Sequence, residues 1–263
     1  RWVAGHYMDE FAEAHAKAMV VRDWLGAGIP SAGVGCAIAR GRLALLDAQA
    51  GGQGPFDADS LTEDYELGLR VAEAGAKVAF LRVRGDDGQL VATRAYFPQK
   101  LETAVRQKTR WVCGIALQGW DRMGWSGDVL DGWMRLRDRR GPLAALVLFS
   151  AYLLLVLSGI LLVARQLDLT HPLPMLPLTE MLLWANGLSL IWRAACCGVF
   201  TGREYGVREG VRAILRIPLG NMIAIFAGRR AVVQYVASLR GGALKWDKTE
   251  HRGHPSLAPQ VSA

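Results

Sequence analysis

The sequence is poor in cysteine, in acidic charge and in repetition. Its four cysteines, Cys36, Cys113, Cys196 and Cys197, show no paired spacing. That excludes a disulfide framework and a cysteine-based zinc site, and leaves reduced, buried thiols. No internal repeat or low-complexity tract is present, which excludes a repeat array. Acidic residues number 24 against 31 basic ones, a formal charge of +7. The chain opens on Arg1-Trp2, without an initiating Met or a signal peptide, and is expected to be a piece of a longer protein.

Uncharged runs, by contrast, are long. Leu143 to Ala164 is 22 residues without a charge, and a helix needs about 20 apolar residues to cross a bilayer. A second run, Leu176 to Phe200, holds only Glu180 and Arg193, both near its ends, where long side chains reach the interface. Arg135, Arg137, Arg139 and Arg140 precede the first run, and Arg203, Arg208, Arg212 and Arg216 follow the second. The connection between them carries the single Arg165. The bias predicts that both flanks face the cytoplasm. It also makes a lipid surface, rather than nucleic acid, the counterpart of the positive charge. The two runs carry almost no polar residues near their middles, which argues against a channel or transporter.

Before the spans, residues 9–25 read as an amphipathic helix with Phe11, Ala14, Ala18, Val21 and Leu25 on one face and Glu13 paired to Lys17. Gly33 to Arg40 reads as a short buried strand entered through glycines, and residues 51–55 as a loop. Ser60 and Glu63 have the spacing of a capping box for a helix carrying Leu61, Tyr65, Leu69 and Ala72, closed at Gly75. Lys77 to Val83 and Leu90 to Thr93 read as strands around the turn Asp86-Asp87-Gly88. A long helix follows from Pro98 to about Trp120. After the spans, Val207 to Leu239 is helical in composition and interrupted at Pro218. Its apolar run Ile217 to Ala227 is about half the length needed to cross, which favours an interfacial helix.

Two strings stand out. Thr62-Glu63-Asp64 falls in the first turn of a helix, whose amino end favours negative charge, so Asp64 suits a general base. A plain acidic helix start is the alternative. Gln107, Arg110 and Trp111 fall at i, i+3 and i+4, so an amide, a forked cation and an aromatic plane share one helix face. That set can hold a diphosphate and stack a sugar ring. An interfacial helix would carry Trp and Arg as well. Asp57-Ala58-Asp59 matches a metal-binding Asp-x-Asp literally but follows a Gly/Pro loop, and reads as a turn.

The two strings in this order, ahead of an uncharged span, resemble the family 2 glycosyltransferases of the cellulose-synthase-like type, and within them the bacteriophage adsorption protein B-like membrane glycosyltransferases. The likeness extends to Tyr7 to Glu13, Pro30 to Gly35, Asp59 to Glu66 and Trp246 to His251. It implies an α/β fold: residues 1–125 as the C-terminal half of a GT-A-like domain, a basic segment 126–142, two transmembrane helices within 143–200, and a cytoplasmic interfacial helix and tail in 201–263. It implies an inverting enzyme that takes a sugar from a nucleotide-sugar donor and extends a cell-surface glycan, an exopolysaccharide for example, at the cytoplasmic face of the bacterial inner membrane. Asp64 would be the catalytic base. Thr62, Glu63, Gln107, Arg110, Trp111, Gly33, Gly35 and Cys36 would bind substrate, and Lys248 would reach a phosphate from a gating segment. The nucleotide-binding half and the ligands for Mg or Mn would lie upstream of this chain, leaving the isolated piece inactive. A cyclic-dinucleotide-responsive regulatory domain would follow downstream. The alternative is a catalytically incomplete membrane component, a receptor or regulatory partner of a separate transferase.

Overall fold

The computed structural model describes residues 2–57, 59–93, 95–171 and 174–242. Among them all the regular secondary structure is helical, and this corrects the α/β expectation. No strand or sheet is present among the described residues, and their β pairing amounts to one isolated antiparallel bridge between Arg84 and Leu90. The segments read as strands at residues 77–83 and 90–93 form no regular element, because a strand is held by pairing and no described segment pairs with either beyond that hairpin tip. Leu81, Val83 and Val91 accordingly remain exposed. The buried strand expected at Gly33 to Arg40 is also absent. Gly33 and Gly35 take φ of +71° and +64°, which breaks an extended run, and residues 32–37 are exposed.

The N-terminal part comprises α1 (Trp2–Glu13), a π-helical turn (Ala14–Ala18), α2 (Met19–Trp24), α3 (Arg40–Gln49) and α4 (Glu63–Glu73). Next come α5 (Leu101–Val112), a second π-helical turn (Cys113–Gln118), α6 (Gly119–Met123) and α7 (Val129–Arg139). α1 begins earlier than the periodicity predicts, and α3 lies where no helix was expected. α4 ends at Gly75 with φ +76°, as expected. Its start differs. Thr62 occupies the N-cap position without a side-chain cap, and Ser60 Oγ donates to Glu66 Oε1 at 2.8 Å rather than forming a box with Glu63.

Three helices have the length and composition to cross a membrane: α8 (Gly141–Gln166), α9 (Pro177–Tyr205) and α10 (Val207–Leu239). The sequence reading expected two, with 207–239 broken at Pro218. α10 instead runs unbroken for 33 residues. One proline removes one N–H from the ladder, and packing on four other helices, α1, α5, α8 and α9, offsets that loss. The most apolar windows of α8 and α9 are wholly unburied within the chain, whereas 28% of that of α10 is buried. Small residues bring these helices together. A Cβ on Gly210 would stand 2.5 Å from the Gly198 carbonyl oxygen, and one on Gly228 would stand 2.4 Å from the Ala145 Cβ.

A buried ion pair joins α1 to α10. Arg216 donates from Nε to Asp9 Oδ2 at 2.8 Å and from Nη2 to Asp9 Oδ1 at 2.7 Å, and both residues are buried. Its Nη1 reaches Glu209 at 3.0 Å. Gly5 leaves room for the guanidinium, since a Cβ there would lie 2.8 Å from Arg216 Nη1. Removing one partner of such a pair strands a buried charge. We expect Asp9→Ala to destabilise the chain by about 3–5 kcal/mol and Arg216→Leu in the same background to recover part of the loss. Chemical unfolding in detergent, followed by circular dichroism, checks both.

Candidate functional site

The two motifs meet where α4 begins and α5 runs into its π-helical turn. Thr62 is buried and packs on Gly114, where a Cβ would stand 2.6 Å from Thr62 Oγ1 and 2.7 Å from its Cγ2. A π-helical turn widens the helix by one residue per turn and recurs at functional positions. Here it presents Gly114 to Thr62. The seam continues along α6. Gln118 Nε2 donates to the Asp59 carbonyl at 3.1 Å, and Arg122 forks onto Glu66, with Nη2 at 2.7 Å and Nε at 3.0 Å from Oε1.

Asp64 is half-buried in the first turn of α4 and accepts the Tyr65 amide at 2.8 Å. Gly33 lies against it: a Cβ at that position would stand 2.8 Å from Asp64 Oδ2. Burial pushes the Asp64 carboxyl above the usual carboxylate range, and the Glu63 charge adds to this. The amide bonds and the Arg110 charge pull the other way without reversing it. The helix terminus therefore does not by itself set this group's ionisation, as position in the sequence suggests. Glu63 is half-buried beside it.

Gln107 is buried with its Oε1 unpartnered, and the buried Arg110 Nε and Thr62 Oγ1 have no partner either. Buried polar atoms are nearly always satisfied, and among the described residues Arg22 Nη2, Gln118 Oε1 and Arg139 Nε and Nη1 are the other side-chain exceptions. Trp111 is differently occupied. Its ring meets Tyr7 at 6.0 Å and Phe11 at 6.2 Å in edge contacts, with Lys108 Nζ 5.4 Å from its centroid. It belongs to the core around Tyr7, Ala104 and Ile223. Gly35 and Cys36 are exposed. Gly35 faces Thr93, and Cys36 Sγ accepts the Ser31 hydroxyl at 3.3 Å. Lys248 lies outside the described residues. A cavity of about 580 Å³ between α5 and α10, lined by Leu101, Val105, Phe226, Arg229 and Val233, takes in no residue of either motif.

The family model for glycosyl transferase family group 2 matches residues 1–166, a stretch that contains both motifs. The chain belongs to this family. It is 34% identical over 266 aligned positions to bacteriophage adsorption protein B of Escherichia coli strain K12. Its identity to bacteriophage N4 adsorption protein B of Escherichia coli O157:H7 is also 34%. Each alignment covers 93% of this chain and 36% of the relative, so the chain spans about a third of their length. No solved structure matches it.

In this group 2 glycosyl transferase chain, sequence reasoning missed the residues that hold the motifs together. Glu66 is buried and takes Ser60, Arg122 and, at 3.5 Å, Arg70. Gly68 lets the chain at 29–31 cross α4, because a Cβ there would stand 2.2 Å from the Ser31 amide nitrogen and 2.6 Å from the Ile29 carbonyl oxygen. The available signal was a glycine in mid-helix, where it costs about 1 kcal/mol against alanine and so calls for a packing reason. Gly68→Ala meets unyielding backbone and is expected to cost at least about 1–3 kcal/mol. Gly114→Ala meets a rotatable threonine and should cost less. Apparent melting temperatures of the two variants check the order, and equal losses would contradict it.

Proposed function

We propose that the chain supplies the acceptor side of an inverting transferase that moves a sugar from a nucleotide-sugar donor to a growing cell-surface glycan, with its catalytic face on the cytoplasmic side of the bacterial inner membrane. The observation that carries this reading is the half-buried Asp64, whose carboxyl pKa burial raises and the Arg110 charge lowers, with unpartnered buried atoms on Thr62, Gln107 and Arg110 of the same two motifs. A carboxylate with a raised pKa is the stronger base toward an acceptor hydroxyl. An arginine beside it can stabilise charge developing on a departing diphosphate. Gln107 and Thr62 offer an amide and a hydroxyl to orient sugar hydroxyls. Trp111 serves chiefly by seating α5 on α1.

The family resemblance implies a divalent metal, and the Asp57-Ala58-Asp59 string does not fit one. Asp57 Oδ1 accepts the Asp59 amide at 3.0 Å, and its Oδ2 stands 3.8 Å from both Arg70 and Arg122, cations that would repel an ion. A second reading, a membrane component that serves as receptor or partner of a separate transferase, draws on the relatives' names, which speak of bacteriophage adsorption.

In the full-length protein, Asp64→Asn is expected to lower sugar incorporation from labelled nucleotide sugar about 10²–10⁴-fold. It should leave folding at neutral pH unharmed. A raised carboxyl pKa means that ionising Asp64 costs the folded state stability as pH rises, and the amide removes that cost. Unchanged incorporation would refute the base and favour the receptor reading. Transfer should also fall with acidity through a midpoint above the ordinary carboxylate range. Arg110→Gln should move that midpoint to higher pH, because the Arg110 charge now holds it down. A pH–rate profile of both proteins checks this.

A further inference from the structure

α7 is built inside out. Its buried face is charged. Asp131 accepts the Gly28 amide at 3.1 Å and Arg135 Nε at 3.0 Å. Arg135 also pairs with Glu73 of α4. Asp138 Oδ2 accepts the Tyr65 hydroxyl at 2.8 Å and Arg22 Nη1 at 2.7 Å. Its outer face is apolar: Val129 is 83% exposed, Trp133 56%, Leu136 44% and Leu130 42%. A helix on a water-facing surface shows the opposite pattern, with its apolar stripe turned to the core.

Continuity indicates what covers that face. α7 ends at Arg139 and α8 begins at Gly141, the helix whose most apolar window is unburied. The apolar stripe thus leads directly into a bilayer-length helix. Trp125 and Trp120, both exposed, flank the Arg139 guanidinium at 5.3 and 5.2 Å just before that junction. Arg137 and Arg140 stand beside it. Tryptophan and arginine gather at headgroup height, and a helix with this outer face lies in the interface plane.

We propose that α7 lies flat in the bilayer interface with Val129, Trp133 and Leu136 inserted at the headgroup–acyl boundary. Its inner face holds α4 through Tyr65 and Glu73, so the lipid surface fixes the height of Asp64 above the membrane. This proposal is independent of any sugar-transfer activity.

The test uses full-length protein in phosphatidylethanolamine/phosphatidylglycerol vesicles, with accessible native cysteines, Cys36 included, replaced by serine. A nitroxide is attached singly at Val129→Cys, Trp133→Cys and Leu136→Cys, and for reference at Asp87→Cys in the exposed 86–88 turn. Collision with oxygen relative to an aqueous nickel chelate should rise severalfold over the reference at all three α7 positions, with similar depths. A ratio equal to the reference at Val129 or Trp133 means that α7 stands in water, and overturns the proposal. Shielding from both reagents means a protein cover and overturns it too. In unlabelled protein, Trp133→Phe, which keeps the apolar face, should reduce the emission quenched by brominated lipid; no reduction counts against insertion.

Discussion

The bidentate pair between Asp9 and Arg216 is the constraint on which the other contacts depend. It fastens α1 to α10 at a point where Gly5 allows close approach. With α1 fixed, Tyr7 and Phe11 offer their rings to Phe97 and Trp111, which seats α5. α5 then delivers Gly114 to Thr62, and Thr62 opens the helix that carries Asp64. A membrane-length helix thus sets the position of a carboxylate through one ion pair, one aromatic cluster and one glycine contact. The pair can bear this role because both charges are buried and doubly bonded, a geometry that compensates desolvation where a single exposed pair contributes little.

Buried charge elsewhere is used in the same way. Glu66, Asp131 and Asp138 each gather donors from two separate segments, and each ties α4 or α7 to a neighbour. Buried atoms of Thr62, Gln107 and Arg110 lack such partners, as do Arg22 Nη2, Gln118 Oε1 and Arg139 Nε and Nη1. Three of these seven described atoms fall in the two motifs, one of which carries the half-buried Asp64.

The helical motifs were readable because their chemistry is local. Gly75 closes α4 by its positive φ, and Gln107 with Arg110 falls on one face by the helical period alone. Strands were not, because pairing is not a local property. Residues 77–83 have strand composition, yet only Val83 at the hairpin tip finds a backbone partner across from it, and Gly33 and Gly35 turn where composition suggested extension. α10 was misread for the opposite reason. Pro218 is a strong local signal against continuity, and packing against four helices outweighs it.

By itself the sequence determined what periodicity and composition can determine: the apolar helices, the basic flanks, and two motifs within the stretch that matches glycosyl transferase family group 2. Tertiary structure alone decided which motif atoms remain unpartnered, that Trp111 is held among aromatics of α1, and that α7 turns its charges inward. The division has one cause. Helix formation and membrane length follow from neighbours along the chain, whereas burial, pairing and the pKa of Asp64 follow from residues that only folding brings beside it.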